Sequence, residues 1–214
     1  MSARIALLTA ATLALGAIGV HALAQPQAKA PAAKPAPAPV MATSLQPLSA
    51  FTGIKDAKTR SLALFAEAGK VIQHPRCLNC HPATERPTQT DRMTPHMPLV
   101  VRGDGIGAPG LHCFTCHRAE NFDPANVPGN PKWMLAPAEM AWQGKTLGQI
   151  CQQLKDPKRN GGKTMAEMEE HMASDILVGW GWNPGGNRTP APGTQAQFGA
   201  IFKAWVQSGA HCPA

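Results

Sequence analysis

The sequence contains no tyrosine, and aromatic residues make up only 5% of its 214 residues. Glycine and proline are frequent instead, at 20 and 21 residues. So few large apolar side chains among so many loop-forming residues predict a thin hydrophobic core. No basic run is interleaved with aromatic residues, so the sequence lacks the pattern of a nucleic-acid-binding protein.

The N-terminus holds the longest apolar run, and residues 1–24 have the pattern of a secretory signal peptide. Arg4 precedes an apolar stretch from Ile5 to Val20, and small residues before Gln25 suit cleavage. The stretch is shorter than the ~20 residues of a membrane span, although an uncleaved anchor is the alternative. We therefore expect export, which in a bacterium means the periplasm, and membrane attachment only if the segment is retained.

The rest of the chain divides into a linker and a folded part. Residues 25–49 consist mainly of Ala, Pro, Gln and Lys, a composition that predicts a disordered, semi-extended linker. Residues 50–214 are assigned to one folded domain. The formal net charge of +7 indicates either an acidic protein partner or a generally solvated surface.

Two stretches repeat the pattern Cys-x2-Cys-His, at Cys77–His81 and Cys113–His117. This is the pattern of covalent c-type haem attachment. Two thiols at this spacing can reach the vinyl groups of one porphyrin, and the histidine that follows then lies under the iron as its proximal ligand. We predict two covalently bound haem c groups, which would also add apolar bulk to the thin core. The predicted cofactor-binding residues are Cys77, Cys80, His81, Cys113, Cys116 and His117.

The spacing of the motifs decides the predicted architecture. Cys77 and Cys113 lie too close for two tandem cytochrome domains, each of which would take roughly 80–100 residues. Apolar periodicity and capping patterns predict helices over residues 56–73, 147–156, 164–177 and from Thr194 onward. Loops are predicted over residues 82–112, 118–137 and 179–193, and no stretch predicts a strand convincingly. The predicted fold is mainly α with long irregular loops, in a single compact dihaem cytochrome c domain.

The distal iron ligands are less well defined by the sequence. The candidates are His74, His96, His112, His171, Met93, Met97, Met168 and Met172. We predict bis-histidine coordination, with His96 in a proline-braced loop and His171 on the predicted 164–177 helix. Either could instead be a surface histidine, His171 paired with Asp175, and one iron could keep an open sixth position. Spacing does not assign either histidine to a particular haem.

Cys151 and Cys212 remain outside the two motifs. In an oxidising compartment a disulfide between them is the predicted arrangement, and two separate buried thiols are the alternative. A single zinc ion bound by both Cys-x2-Cys pairs is a further alternative. It leaves His81 and His117 unexplained and fits poorly with export.

Further stretches carry a family resemblance: His74–Pro82, Arg102-Gly103 with Gly105 and Gly107, Asn121–Pro124, Met140–Lys145, Val178–Trp182, and the tail from Ala204-Trp205 to Cys212-Pro213. Together they resemble a family of small exported proteobacterial dihaem c-type cytochromes described as isoquinoline 1-oxidoreductase subunits, over most of residues 50–213. The resemblance implies an electron-transfer partner of a periplasmic molybdenum hydroxylase. No residues known to bind molybdopterin or iron–sulfur clusters can be identified, so the chain is not itself the hydroxylase.

The predicted function is that of a periplasmic dihaem c-type cytochrome. It would carry single electrons from a redox partner, a dehydrogenase of the molybdenum-hydroxylase type, to the respiratory chain. The alternative is a small haem enzyme, peroxidase-like or acting on an inorganic substrate, with one open-coordinate iron and an acid such as Glu85 or Glu120. A haem subunit that only anchors a partner is a third hypothesis. The sequence favours electron transfer over catalysis by the chain alone.

Overall fold

The computed structural model describes residues 43–214, so the predicted signal peptide and most of the predicted linker lie outside the described residues. The α-helices of this part are α1 (Ala57–Ile72), α2 (Pro75–Leu78), α3 (Leu147–Leu154), α4 (Met165–Ser174), α5 (Ile176–Gly179) and α6 (Gln195–Gln207). Short 3-10 helices lie at Leu48–Phe51, Cys113–Thr115, Asp123–Ala125, Ala138–Met140 and Trp180–Trp182. The mainly helical fold with long irregular loops is confirmed. No helix within residues 43–214 is long and apolar enough to cross a membrane.

Helix α6 packs against both α1 and α4, and the three helices form the main part of the hydrophobic core. Phe65 of α1 and Trp205 of α6 are fully buried, with ring centroids 4.6 Å apart. Met168 contributes the buried face of α4. Burying a large apolar side chain stabilises a fold by roughly 1.5–3 kcal/mol, so each of these buried side chains stabilises the packing of the three helices.

Capping residues set where the helices begin. The Asp56 carboxylate accepts the Thr59 backbone N–H at 2.8 Å and so starts α1. The predicted stop near Pro75 is confirmed because α1 ends at Ile72, and Pro75 also opens the short helix α2. Reciprocal capping boxes begin α3, α4 and α6 at Thr146, Thr164 and Thr194.

The helix predicted over residues 164–177 is wrong in its C-terminal part. Helix α4 ends at Ser174 because Asp175 adopts an extended backbone, with φ −63° and ψ 132°. The Asp175 carboxylate then accepts the Leu177 backbone N–H at 2.8 Å and caps α5. An aspartate that bonds the following backbone competes with helix continuation, and the apolar pattern alone does not reveal this break.

The predicted loop over residues 82–112 contains short strands that the sequence did not predict. Thr88–Gln89 (β1) pairs antiparallel with Thr94–Pro95 (β2), and Gly107–Ala108 (β3) pairs antiparallel with Leu111–His112 (β4). Each strand has two residues, which is too short for an alternating apolar pattern to be recognised. The stretch is therefore an ordered loop with two small hairpins.

A buried arginine holds this loop against the rest of the fold. Arg102 is only 3% exposed. Its guanidinium donates to the carbonyl oxygens of Pro82 at 2.9 Å, Thr84 at 2.7 Å and Ala136 at 2.7 Å. One side chain thus joins the start of the loop, directly after the first cysteine motif, to a segment that follows the second motif.

The packed part of the chain begins earlier than predicted. Leu45 lies in the segment predicted as linker, yet it is 7% exposed and belongs to the hydrophobic core. The next residue, Gln46, donates its backbone N–H to the Glu67 carboxylate at 2.8 Å. The predicted boundary between residues 49 and 50 is therefore wrong, because composition averaged over a segment does not detect a single apolar anchor.

The predicted disulfide between Cys151 and Cys212 is confirmed, and the two Cα atoms are 5.5 Å apart. It joins the buried face of α3 to the segment that follows α6. The bridge therefore holds the end of the chain against the core.

We expect the double substitution Cys151→Ala and Cys212→Ala to destabilise the protein. The bridge closes a sequence separation of 61 residues, for which the chain-entropy argument gives about 4 kcal/mol. Denaturant unfolding of both proteins would measure the loss. An unchanged unfolding midpoint would contradict a stabilising role for the bridge.

Candidate functional site

The first Cys-x2-Cys-His motif borders a cavity of about 300 Å³, which we call the smaller cavity. Helix α2 carries Cys77, and the His81 backbone N–H donates to the Cys77 carbonyl at 3.1 Å, so the helical turn continues to the histidine. Cys77, Cys80 and His81 all line the cavity. Much of the remaining wall is hydrophobic core, including Ile72, Leu154, Met168, Met172 and Phe198.

The second motif borders a cavity of about 770 Å³, which we call the larger cavity. The 3-10 helix Cys113–Thr115 begins the motif, and the His117 backbone N–H donates to the Cys113 carbonyl at 2.9 Å. Cys113, Cys116 and His117 line this cavity. Among the described residues, none of the buried core cluster lines it, and its walls come mainly from loops. The two motifs thus face cavities of different character.

His81 is held in the tautomer that suits a metal ligand. Its Nδ1 lies 2.7 Å from the Met140 carbonyl oxygen, which can only accept, so Nδ1 carries the proton and Nε2 keeps its lone pair. The Trp142 ring stacks on the imidazole, with centroids 3.7 Å apart and planes 5° apart. Burial lowers the pKa of His81 to about 4, which keeps the ring neutral at physiological pH. A fixed, neutral imidazole is the form that binds a metal.

His117 repeats this arrangement in the larger cavity. Its Nδ1 lies 2.7 Å from the Pro128 carbonyl oxygen, which again leaves the Nε2 lone pair free. Trp133 stacks on its ring at a centroid distance of 4.6 Å and an angle of 15°. Burial lowers the pKa of His117. Both motif histidines are therefore oriented by a backbone carbonyl and a tryptophan.

His171 lies on α4 and lines the smaller cavity together with His81. Burial lowers its pKa. Its Nδ1 is 3.8 Å from the Asp175 carboxylate, which also accepts from the Lys132 ammonium at 3.0 Å. At 3.8 Å the histidine and carboxylate are close enough for a charge interaction but too far for a hydrogen bond. His171 therefore both interacts with Asp175 and lines the smaller cavity, two arrangements that were alternatives on the sequence alone.

His96 lies opposite His117 in the larger cavity. The two ring centroids are 6.0 Å apart, with planes at 64°. Imidazoles that share one metal at a metal–nitrogen distance of about 2 Å have centroids roughly 6 Å apart. The His96 Nδ1 is 3.0 Å from the Pro98 carbonyl oxygen, so its Nε2 also keeps a lone pair. The structure therefore assigns His96 to the larger cavity and His171 to the smaller one, which spacing could not do.

The other candidate ligands are less well placed. His74 is buried and lines neither cavity; its Nδ1 instead accepts the Arg76 backbone N–H at 3.2 Å. His112 lines the larger cavity, but its ring stacks on Phe114 at a centroid distance of 4.9 Å. Of the methionines, Met168 and Met172 line the smaller cavity, Met97 lines the larger one, and Met93 lines neither.

The two cavities share part of one wall, a feature that the sequence did not predict. The residues that line both are Arg76, Cys80, Met134, Leu135 and Trp180. The Trp180 ring also meets Trp133 edge to face at 4.9 Å. The position of Arg76 next to Cys77 was a usable signal, because a neighbour of the motif must lie near whatever the motif binds. Nothing in the sequence placed Trp180 between the motifs.

The zinc alternative is not supported by the geometry. Within residues 43–214, no three His, Cys, Asp or Glu side chains form a group that could hold a metal ion. Cys113 and Cys116 line the larger cavity, which Cys80 also borders but Cys77 does not.

Comparison with known proteins adds nothing to this geometry. No protein-family model, curated protein or solved structure matches the chain.

Proposed function

We propose that the chain binds two haem groups covalently and acts as a dihaem c-type cytochrome that carries single electrons. One observation carries the proposal: each Cys-x2-Cys-His motif borders its own cavity, and a second histidine lines each cavity. His171 is that histidine in the smaller cavity and His96 in the larger one. Two thiols, a proximal imidazole and a distal imidazole are one set that gives a six-coordinate c-type haem.

The residues of both cavities fit such a group. Thioether bonds would form at Cys77 and Cys80 in one cavity and at Cys113 and Cys116 in the other. The carbonyls of Met140 and Pro128 hold the proximal imidazoles with Nε2 free, and apolar core side chains line much of the smaller cavity. When bound, haem iron supplies reversible one-electron chemistry. The role of the polypeptide would be to attach the haem, to ligate its iron and to bury it.

The enzyme alternative finds less support in these cavities. A haem enzyme needs an open iron position with an acid or base nearby. A second histidine lines each cavity, and among the described residues Glu85 and Glu120 line neither. Glu85 is instead 3.6 Å from the Arg102 guanidinium, with its side chain 63% exposed. Electron transfer without substrate chemistry is the better-supported function.

The compartment and partners follow from the N-terminal pattern and the family resemblance. A signal-peptide-like segment before a Cys-x2-Cys-His protein supports a periplasmic location, where a disulfide such as Cys151–Cys212 also forms. The resemblance to dihaem subunits supports a molybdenum-hydroxylase-type dehydrogenase as electron donor. The acceptor would belong to the respiratory chain. The basic net charge of +7 suits an acidic docking surface on either partner.

Mass spectrometry of the full chain produced in a host with haem-attachment machinery tests this proposal. We expect the mass of the polypeptide plus two haems, and tryptic haem-peptides that contain Cys77–His81 and Cys113–His117. In a stopped-flow mixture with a reduced electron donor, the haem bands should shift to their reduced positions and return on addition of an oxidant. A mass without haem, or haem that denaturing solvent extracts, would overturn the proposal.

A further inference from the structure

Arg76 places a buried cation in the wall that the two cavities share. The residue is 4% exposed, and its Nη2 donates to the Asp91 carboxylate at 2.5 Å. Its Nε is buried and has no hydrogen-bond partner among the described residues. A buried donor on a charged group is strongly unfavourable without an acceptor. The Arg76 Nε therefore needs an acceptor that the described residues do not supply, and the residue borders both cavities, from which a bound group could supply one.

The charges around the cavities indicate which cavity holds that ligand. The smaller cavity is lined by Arg76 and Lys163, and no described Asp or Glu lines it. The larger cavity has two further arginines, Arg92 and Arg188, as well as Asp91. Among the described residues, the smaller cavity thus offers an anion two cations and no carboxylate, whereas the larger cavity contains the Asp91 carboxylate, which would repel it.

We propose that Arg76 binds a propionate carboxylate of the haem attached to Cys77 and Cys80, in the wall between the two cavities. This inference rests on the proposed function. Haem carries its propionates on one edge, and the planar guanidinium fits a carboxylate through paired N–H donors. Asp91 accepts from Nη2 and from the Thr189 hydroxyl at 2.6 Å, so the guanidinium is held by a carboxylate that is itself anchored.

The same cation also acts on the reduction potential. Reduction adds one negative charge to the haem, and a nearby buried cation stabilises the reduced form because the local dielectric is low. Arg76 should therefore raise the midpoint potential of the haem in the smaller cavity. Arg76 is a positioning residue in this account, since it does not bind the iron.

The test uses resonance Raman spectroscopy, in which the propionate bending band responds to hydrogen bonding. We expect Arg76→Gln to shift this band for the haem attached to Cys77 and Cys80 and to lower its midpoint potential. Arg76→Lys should keep the potential near its natural value, because the charge remains, while the band still shifts. The matched control is Arg159→Gln, since Arg159 is 43% exposed and pairs with Asp156 at 2.7 Å.

Measuring the variants with Cys113 and Cys116 also replaced by alanine isolates the relevant haem. An unchanged propionate band in Arg76→Gln would overturn the proposal, even if the potential fell. A second result would also overturn the proposal: added acetate shifts the midpoint potential of the natural protein but not that of Arg76→Gln. The ligand of Arg76 would then be a free carboxylate and not a haem propionate. If the chain carries no haem, the proposed function fails first, and the mass measurement distinguishes the two failures.

Discussion

Replacing Cys77 and Cys80 with alanine is expected to abolish cooperative folding, whereas replacing Cys113 and Cys116 is expected to leave a folded protein with one haem. The smaller cavity is lined by core residues, including Ile72, Leu154 and Phe198. Without the haem these core side chains would face water, and leaving one large apolar side chain exposed costs roughly 1.5–3 kcal/mol. Total domain stability is typically about 5–15 kcal/mol, so the fold would not survive the loss.

The larger cavity gives the opposite expectation. Its walls are loops and the two small hairpins, and no described residue of the buried core cluster lines it. Loop walls can close or admit water without opening the core. The variant lacking Cys113 and Cys116 should therefore lose order locally and keep the packing of α1, α4 and α6.

Near-ultraviolet circular dichroism and thermal unfolding compare the two double variants, which differ only in the motif that is removed. We expect a cooperative transition for the variant that retains Cys77 and Cys80. The variant that lacks Cys77 and Cys80 should show no cooperative transition and should bind a dye for exposed apolar surface. Equal transition temperatures in the two variants would contradict the account of the core.

Replacing His171 or His96 with alanine is expected to convert one haem, a different one in each case, from low-spin to high-spin. His171 lines the smaller cavity with His81, and His96 lies 6.0 Å from His117 between ring centroids in the larger one. Loss of a distal imidazole opens the sixth coordination position of one iron. Each variant should therefore bind carbon monoxide at about one haem per chain, while the natural protein binds none.

Three comparisons support the assignment. Exogenous imidazole should restore the low-spin spectrum of each variant, because it replaces the deleted ring. His112→Ala is the matched control, since His112 lines the larger cavity but stacks on Phe114. In the variant lacking Cys113 and Cys116, His171→Ala should give a fully high-spin spectrum and His96→Ala should give no change. Unchanged spectra in either single variant would remove that histidine from the ligand set.

Local chemistry explains how much of the fold the sequence predicted. The helix starts at Asp56, Thr146, Thr164 and Thr194 were predictable because a capping side chain and an apolar stripe are read from neighbouring residues. The break at Asp175 was not, since an aspartate there is compatible with either a helix or a cap. The burial of Leu45 and the two-residue strands were not predicted, because composition and periodicity need several residues to give a signal.

The candidate site divides in the same way. Both motifs and the pair Cys151–Cys212 could be predicted from the sequence, because covalent chemistry restricts the residue type and, in the motifs, the spacing. The choice of His96 and His171 among the available histidines was a prediction, and the pairing of each with a cavity depends on how loops fold in space. Arg76 could have been singled out because it precedes Cys77, whereas Trp180 lines both cavities only because residues far apart in sequence meet there. Such a long-range contact leaves no local pattern.

The central claim is that one chain holds two bis-histidine haems, and quantitative electron paramagnetic resonance of the oxidised full chain tests it most directly. The account predicts two low-spin ferric signals that together integrate to two haems per chain, with no high-spin component. A high-spin signal of about one spin per chain in the natural protein, or an integral of one haem, would contradict it.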